Sequence, residues 1–422
     1  MNYIDLFAGA GGLSEGFIRN GFNPIAHVEM DTDACFTLKT RLAYYHLKEQ
    51  NNLDIYYSYL RQEITRDELY AHLPEEEILS VINEAIGEDT IGGIFNSIDA
   101  RIAQLPEENR EVDAIIGGPP CQAYSVIGRS RSKDKMKGDP RNYLYKYYAQ
   151  FLRRYQPKVF VFENVKGLLT AGNGIMLQNI ERIIDKSGYD FEIKEQNASN
   201  FGVLQNRKRL IIIGWRREGL QPLHYPKLWQ TVQFYQVSDL LQDLPALAPG
   251  ESYTGPYTKP VTQYLTQTNI RNGCPVLTQH ITRPHRNEDL EIYRLAIELW
   301  NNYQQRLRYT DIPEQLSFHK NKVSFADRFK VVAQDIPTSQ TVVAHIAKDG
   351  HYYIHPDINQ LRSLSIREAA RLQSFPDDYF FEGSRTSGFK QIGNAVPPLM
   401  ADAIAAGIRE LLEPNGSNRT ED

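Results

Sequence analysis

Asp5-Leu6-Phe7-Ala8-Gly9-Ala10-Gly11-Gly12 is the stretch that decides the fold. It begins as an apolar strand, turns through glycines and leads into a helical segment. A second strand follows and ends on Glu29, 20 positions after Gly9. Glycines let a ligand approach the backbone at a strand's carboxyl end, and an acidic side chain there can bind ribose hydroxyls. The segment predicts a nucleoside cofactor, with a structural turn as the alternative; NAD is disfavoured because the spacing is not Gly-x-Gly-x-x-Gly.

Three further apolar runs occupy residues 112–116, 159–162 and 210–213. Short continuous apolar runs are typical of parallel strands that are buried on both faces. Segments with helical character separate these runs, and residues 39–93 are predicted to be mostly helical. Strands that alternate with helices predict a doubly wound α/β sheet.

The character of the chain changes after Arg217, where prolines interrupt a stretch rich in Gln, Thr and Tyr. This change predicts a second, less regular domain. We expect helices at 287–306, 362–371 and 399–412, and a connector at 383–393. The predicted organisation is a catalytic and cofactor domain at 1–216 with a helical acidic insertion near 39–95, a small domain at 217–385, a returning segment at 386–412 and a disordered tail at 413–422.

The composition is that of a globular protein, with 41% hydrophobic and 23% charged residues among 422. No run of 18 apolar residues occurs, so we expect no spanning helix and no membrane partner. The first strand starts at once, which leaves no room for a signal peptide. Three cysteines are too few for a disulfide scaffold or a four-ligand zinc site, so we predict no metal and a reducing, cytoplasmic setting.

Charge is distributed unevenly along the chain. The net charge is −5, but residues 51–112 alone carry −10, and the remainder of the chain therefore carries +5. Residues 126–158 contain ten Lys or Arg against two Asp, a local excess of +8. A phosphate backbone responds to such a local strip rather than to the global sum. The strip indicates a nucleic-acid contact, and a solvated loop is the alternative.

One cysteine stands out by its surroundings. Cys121 follows an apolar strand and the turn Gly117-Gly118-Pro119-Pro120, and many cations come after it. A rigid turn followed by cations should lower the pKa of a thiol, which favours a nucleophile. For Cys35 and Cys274 a small buried hydrophobic residue is the favoured interpretation.

Charged residues flank two of the predicted strands. Glu163 ends the 159–162 run, where desolvation favours a partner for the carboxylate; a helix cap or a surface residue is the alternative. Arg207 and Arg209 precede the 210–213 run, and their alternation predicts that both face one pocket. Surface placement of the two arginines is the alternative.

Six blocks in one order resemble the DNA (cytosine-5)-methyltransferase family in its bacterial, restriction-modification form. They are residues 5–12, Gly118-Pro119-Pro120-Cys121-Gln122, Glu163-Asn164-Val165, Gln205-x-Arg207-x-Arg209, residues 367–377 and residues 391–398. The resemblance spans nearly the whole chain. It implies a Rossmann-like, S-adenosylmethionine-dependent methyltransferase sheet with helices on both faces, and a smaller, irregular target-recognition domain.

The resemblance also implies a reaction, methyl transfer from S-adenosylmethionine to C5 of a cytosine flipped out of a specific duplex DNA sequence. Cys121 would add to C6 of the ring, and Glu163 would bind N3 and the exocyclic amine. Arg209 would contact O2 of the cytosine, and Arg207 would support the loop.

Cofactor contacts follow from the same resemblance. Met30 stands where an aromatic residue often stacks on adenine, and Ser97-Ile98 is aligned with an Asp-Ile pair that contacts the adenine. The complete implied set is Phe7, Ala10, Gly12, Glu29, Met30, Ser97, Ile98, Gly118, Pro120, Leu144, Asn394 and Val396.

For DNA, the resemblance implies a clamp in the loop after Cys121, formed by Ser125, Ile127, Arg129 and Arg131. We expect phosphate contacts from the arginines and a wedge from Ile127. Sequence choice would lie in 217–359, where the candidate base readers are Gln279, His280, Arg283, His285 and Arg286. The charge pattern of Arg362, Arg367, Glu368 and Arg371 predicts structural ion pairs.

The partners expected from the resemblance are double-stranded DNA and a cognate restriction endonuclease, the latter a functional rather than a physical partner. We expect a monomer in the bacterial cytoplasm, associated with the nucleoid. Three alternatives stay open at this point: a tRNA-methylating branch of the family, a nucleic-acid-binding protein with a dead site, and a nicotinamide dehydrogenase. The long recognition region favours DNA over tRNA, and the loop spacing argues against the dehydrogenase.

Overall fold

The computed structural model describes residues 1–119, 143–218, 224–231, 234–317 and 326–413. Within these ranges the polypeptide forms one large and one small sheet. The strands are β1 (Asn2–Leu6), β2 (Asn23–Glu29), β3 (Val81–Asn83), β4 (Ala114–Gly117), β5 (Val159–Asn164), β6 (Tyr189–Asn197), β7 (Lys208–Arg216), β8 (Ser252–Gly255) and β9 (Leu277–Ile281).

The helices lie between the strands and dominate the ends of the chain. They are α1 (Gly12–Arg19), α2 (Thr32–Glu49), α3 (Leu53–Leu60), α4 (Arg66–Tyr70), α5 (Glu75–Leu79), α6 (Ile91–Gln104), α7 (Leu144–Tyr155), α8 (Ile175–Lys186), α9 (Ser238–Leu241), α10 (Gln263–Gln267), α11 (Asn287–Tyr303), α12 (Ile366–Leu372), α13 (Arg385–Asn394) and α14 (Pro398–Leu412).

The large sheet has seven strands in the order β3-β2-β1-β4-β5-β7-β6. The first five strands in this order run parallel, so their carboxyl ends meet at one edge. Side chains of β1 alternate between two cores, because Ile4 and Leu6 pack on one face and Tyr3 on the other. Helices cover both faces, which confirms the predicted α/β class.

The direction of the last strands corrects one prediction. The apolar run at 210–213 lies in β7, which is antiparallel to β5 and to β6 rather than parallel. Sequence analysis missed β6, whose residues alternate in burial instead of forming an apolar run. Only residues 198–207 join β6 to β7, and a parallel crossover needs a dozen or more residues.

Two local assignments also need correction. The mostly helical stretch at 39–93 contains a strand, β3, which pairs with β2 at the sheet edge. Residues 383–393 were expected to be a connector, but most of them form α13, with the Ser384 side chain capping its first turn. Ser384 is a good N-cap, and this signal outweighs the two glycines, Gly388 and Gly393, within the helix.

The part of the chain after β7 contains little sheet. It includes the two-stranded β8–β9 ribbon and a separate core around Leu240, Tyr264, Phe375 and Phe389. The last helix, α14, returns to the large sheet, where Ile404 packs in the same core as Phe17 of α1. The domain boundaries proposed above are compatible with this packing and stay a prediction.

In the described ranges, none of the helices has both the length and the apolar character required to cross a membrane.

Candidate active site

The glycine-rich turn after β1 has an unusual backbone. Phe7, Gly9 and Gly11 all have positive φ, at 58°, 55° and 78°. The turn is closed by a bond from the Gly11 amide to the Ala8 carbonyl (2.9 Å), and the Ala8 amide donates to the Val28 carbonyl of β2 (3.2 Å). A Cβ atom placed on Gly9 would meet nothing within 4 Å, so the turn opens onto free space. That space can receive a ligand against bare backbone.

Glu29 lies at the carboxyl end of the neighbouring strand β2. One carboxylate oxygen accepts the Gly9 amide (2.8 Å) and the other accepts the Asp31 amide (2.8 Å). Burial raises the pKa of Glu29, and these backbone bonds offset part of the rise. A carboxylate has about four acceptor positions, so Glu29 retains capacity to accept from ligand hydroxyls.

A second carboxyl group lies beneath the same turn. Asp5 of β1 is 1% exposed, and its Oδ2 has no hydrogen-bond partner among the described residues. Burial and the nearby Glu29 raise its pKa well above the ordinary value. Buried polar atoms are normally paired, so an orphaned oxygen at this position indicates a ligand or water partner.

The C-terminal segment closes the same side of the turn. A Cβ atom on Gly12 would lie 3.1 Å from Cβ of Ala395, and Val396 is nearly buried against this region. Asn394, at the end of α13, is exposed. The arrangement brings the predicted cofactor residues Gly12 and Val396 together, with Asn394 two residues before Val396.

Arg207 holds this closing segment in place. It is fully buried, and its guanidinium donates to the carbonyl oxygens of Val342 (2.6 Å), Gly393 (3.2 Å) and Ala395 (2.8 Å). The prediction that Arg207 and Arg209 face one pocket is therefore wrong, because Arg207 lies outside β7 and points into the interior. Its contacts are those of a residue that supports a loop.

Glu163 and Arg209 meet across β5 and β7. The Arg209 Nε donates to Glu163 Oε1 at 2.7 Å, and the two side chains are 13% and 14% exposed. The second carboxylate oxygen lies beside Gly118, where a Cβ atom would approach it to 2.6 Å. Glycine at this position lets the turn after β4 pass close to the carboxylate without displacing it.

Pro119 is the last described residue before the predicted nucleophile in the sequence. The Asn164 side-chain amide donates to the carbonyl of Pro119 (3.4 Å), two residues before Cys121 in the sequence. The remaining predictions in this segment, Pro120, Cys121, Ser125, Ile127, Arg129 and Arg131, lie outside the described residues.

The structure does not bring Ser97 and Ile98 to this edge. Both lie in the middle of α6, where the Ser97 hydroxyl donates to the Gly93 carbonyl (3.1 Å) and Ile98 is fully buried in the core. The residue at the end of the adjacent strand is Asn83, which donates to the carbonyls of Glu29 (3.2 Å) and Met30 (3.1 Å). Only the short apolar pair Val81-Ile82 precedes it, which is too little to predict this strand from the sequence.

Two other cofactor candidates flank the edge. Met30 follows Glu29 and is 67% exposed, so its thioether can cover a flat ligand. Leu144 is the first residue of α7 and is partly buried.

Two of the five candidate base readers, Gln279 and His280, are buried. Gln279 bonds in both directions to the Phe381 backbone, and His280 is fixed between Ser365 and the Pro245 carbonyl. Their proposed contact with bases is wrong, because these polar atoms are already paired in the interior. Arg283 donates to backbone carbonyls and His285 bonds to Ser363, whereas Arg286 is exposed.

The last bases of the basic strip at 126–158 bond to side chains elsewhere in the protein. Arg153 bonds to Ser187, Arg154 pairs with Asp99, and Lys158 pairs with Asp113. These bases precede β5, at the sheet edge opposite Glu163. They do not contribute to a phosphate-binding surface at the site.

The charges of α12 form ion pairs, as predicted. Arg362 makes two bonds of 2.7 Å to Glu368, and Arg371 pairs with Asp243 and Asp377. We call Arg362, Arg367, Arg371, Glu368, Asp243 and Asp377 the arginine cluster. All six are at most 1% exposed.

Comparison with known proteins agrees with this geometry. A sequence profile of the C-5 cytosine-specific DNA methylases matches residues 1–68 and 85–410. The chain belongs to this family. It is therefore a DNA (cytosine-5)-methyltransferase, and S-adenosylmethionine is its cofactor. The unmatched internal residues, 69–84, include α5 and lie inside the predicted acidic insertion.

Relatives cover the chain from end to end. Type II methyltransferase M.Bpa9945I of Bacillus paralicheniformis is 42% identical, over 98% of this chain and 99% of its own length. M1.HphI of Haemophilus parahaemolyticus is 31% identical, over 97% and 87%.

Solved structures share the fold. A DNA modification methyltransferase encoded in an E. coli prophage has a TM-score of 0.63 at 23% identity and covers 98% of this chain and 99% of its own. Entamoeba histolytica methyltransferase EhMeth has a TM-score of 0.54 at 15% identity, with the same coverage.

The residues present fit S-adenosylmethionine. Glu29 retains acceptor capacity for ribose hydroxyls, and the open turn at Gly9 leaves room for the methionine part. The Asp5 oxygen that has no partner in the described ranges suits a nearby ammonium or a bridging water.

Proposed function

We propose that the enzyme methylates C5 of a cytosine within a specific duplex sequence, through a covalent bond between Cys121 and C6, as the modification partner of a restriction endonuclease. The observation that carries this proposal is the Glu163–Arg209 pair. It lies beside Gly118, three residues before Cys121, and near the turn that fits the cofactor.

The reaction needs a nucleophile because C5 of cytosine is weakly reactive. When bound, S-adenosylmethionine supplies an electrophilic methyl group on a sulfonium. The Cys121 thiolate forms a bond to C6, and the ring electrons move toward C5 while N3 gains a proton. C5 bonds to the methyl group as that group's bond to the sulfonium sulfur breaks, which leaves S-adenosylhomocysteine. A base then removes the C5 proton, the bond between Cys121 and C6 breaks with its electrons returning to sulfur, and N3 gives up its proton, which restores the aromatic ring.

Glu163 and Arg209 stabilise the charge that develops on the ring. Glu163 would bind N3 and the exocyclic amine, where the proton is needed. Arg209 keeps the carboxylate in place through its Nε, and one terminal nitrogen is held by the Lys208 carbonyl (2.8 Å). The other terminal nitrogen can donate to O2 of the cytosine.

The target base must leave the duplex, because a thiol cannot reach C6 of a stacked cytosine. We assign the clamp to Ser125, Ile127, Arg129 and Arg131, with the arginines on phosphates and Ile127 in the vacated stack. If the arginines bind phosphates, replacing both should reduce the salt dependence of DNA binding.

The test begins with bisulfite sequencing of DNA from cells that express the enzyme, which identifies the methylated motif. A duplex with 5-fluorocytosine at that position should then trap the enzyme covalently in the presence of S-adenosylmethionine, because fluorine blocks the final elimination. Cys121→Ser should abolish trapping. Cys274→Ser is the matched control, since Cys274 is buried and burial raises its pKa to about 12.

Two results would overturn the proposal. Trapping that persists in Cys121→Ser would exclude the covalent role of this thiol. Methylation of tRNA but not of duplex DNA would exclude the proposed substrate.

A further inference from the structure

The segment between α12 and α13 connects the arginine cluster to the cofactor turn. Arg367 donates to the backbone carbonyls of Pro376 (3.1 Å) and Tyr379 (3.0 Å). Arg371 binds the carboxylate of Asp377. The fully buried cluster therefore fixes the backbone around Tyr379 from one side.

Tyr379 reaches the cofactor turn from this fixed segment. Its side chain is 1% exposed, and its hydroxyl donates to the backbone carbonyl of Ala10. The ring packs against Phe375 and Phe381, with centroids 4.8 and 5.3 Å away. The phenol is thus held at both ends and has no freedom to leave Ala10.

The cofactor turn depends on such external bonds. Its left-handed residues are not stabilised by regular secondary structure, and Phe7 carries a side chain at positive φ. The Ala10 carbonyl precedes Gly11, where a Cβ atom would lie 2.9 Å from the Tyr379 hydroxyl. Tyr379 therefore contacts the turn at the residue where its path reverses into α1.

A neighbouring residue ties the same segment to α1. Arg41 of α2 binds Asp378 (2.9 Å) and Glu15 (2.6 Å), and its guanidinium lies over the Tyr379 ring at 4.8 Å. Glu15 in turn donates its amide to the Gly11 carbonyl (2.8 Å). Two adjacent residues of this segment are thus connected to consecutive carbonyls of the turn. Tyr379 binds the Ala10 carbonyl directly, and Asp378 is linked to the Gly11 carbonyl through Arg41 and Glu15.

We infer that Tyr379 is a positioning residue for cofactor binding: its hydroxyl holds the Ala10 carbonyl so that the turn keeps its ligand-binding shape. This inference rests on the proposed function only in that the turn binds S-adenosylmethionine. It gives a physical link between the arginine cluster and cofactor affinity. It involves no contact between Tyr379 and the reacting atoms.

Tyr379→Phe removes the hydroxyl and leaves the ring packing intact. Titration of the full-length chain with S-adenosylhomocysteine should show a Kd about three- to tenfold higher, the range expected for one lost hydrogen bond. In methylation assays, KM for S-adenosylmethionine should rise by a similar factor while kcat at saturation stays unchanged.

Two further variants separate positioning from general stability. Tyr189→Phe is the matched control, because Tyr189 is also fully buried and its hydroxyl donates to a backbone carbonyl, that of Pro157 (2.8 Å), at the far edge of the sheet. Phe381→Leu loosens the packing beside Tyr379 and keeps its hydroxyl. Thermal unfolding of all the variants shows how much each loses in stability.

The inference is supported if only Tyr379→Phe raises Kd. It is overturned if Tyr379→Phe leaves Kd unchanged, or if Tyr189→Phe or Phe381→Leu raises Kd equally at a comparable loss of melting temperature. Failure of the covalent trap with normal binding of S-adenosylhomocysteine would instead contradict the proposed function and leave this inference standing.

Discussion

The cofactor edge and the arginine cluster both bury carboxyl groups, but with opposite consequences. At the cofactor edge, burial raises the pKa of Asp5 and of Glu29. In the cluster, burial also acts to raise the pKa of Glu368 and Asp377, but the adjacent arginines reverse the effect and lower both. The two regions differ in whether the protein supplies the counter-charge.

This difference distinguishes buried polar groups that stabilise the fold from buried polar groups that bind a ligand. In the cluster, Arg362 and Glu368 satisfy each other, so nothing is left for a ligand. At the cofactor edge, within the described part of the chain, Asp5 has an unpaired oxygen and Glu29 accepts bonds from backbone amides. Buried polar groups that the fold leaves incomplete mark the position where a cationic or hydroxylated ligand completes them.

The largest expected effect is on stability, from breaking the cluster. Glu368→Gln leaves Arg362 buried without its counter-charge, which should lower the free energy of unfolding by about 3–5 kcal/mol. Urea unfolding at neutral pH measures this change. Glu63→Gln is the control, because its pair with Arg61 is exposed and should matter little. An equal loss in both variants would contradict the structural role of the cluster.

The second-largest expected effect is a loss of folding stability at acidic pH, because each region contains a buried histidine. Burial lowers the pKa of His27 to about 4, and burial together with Arg362 lowers that of His355 to about 4 despite the opposing effect of Glu368. Between pH 6.5 and 4 the unfolded chain binds protons that the folded chain does not, so stability should fall as the pH falls through this window. Each histidine can contribute about 3 kcal/mol at the acid end.

Urea unfolding at several pH values tests this dependence. His27→Gln should flatten the loss of stability on acidification, and His72→Gln, which replaces an exposed histidine, is the control. An unchanged slope in His27→Gln would show that His27 does not account for the acid sensitivity.

The smallest expected effect is a change in ligand affinity with little change in stability. Glu29→Gln keeps the shape of the side chain but can accept only one of the two amides and is a weaker acceptor for ribose hydroxyls. We expect the Kd for S-adenosylhomocysteine to rise about tenfold, equivalent to about 1.4 kcal/mol, with a melting temperature close to that of the unmodified enzyme. Glu84→Gln, on the exposed residue after β3, is the control. A large drop in melting temperature without a change in Kd would place Glu29 among the structural carboxylates.

The structure brings predicted site residues together where strand ends converge, and their roles stay a prediction. Glu163 and Arg209 were each predicted beside an apolar run, and such runs lie side by side in a buried sheet, but their ion pair appeared only in the structure. The prediction that Ser97 and Ile98 contact the cofactor was wrong because these residues were assigned by alignment through a segment of unusual length. The residue at the strand end is Asn83, preceded by only two apolar residues, too few to indicate a strand.

The amino-acid sequence alone determined the α/β class, the glycine turn, the family and the carboxylates at the strand ends, because these depend on local periodicity and short motifs. Only the tertiary structure decided that β7 runs antiparallel, that Arg207 points inward and that Tyr379 binds Ala10. An apolar run indicates that a strand is buried but not whether the strand runs parallel or antiparallel to its neighbours. A single arginine or tyrosine in the sequence does not indicate which distant carbonyl its side chain will bind. Those choices depend on contacts between residues far apart in the chain, which arise only when the elements pack.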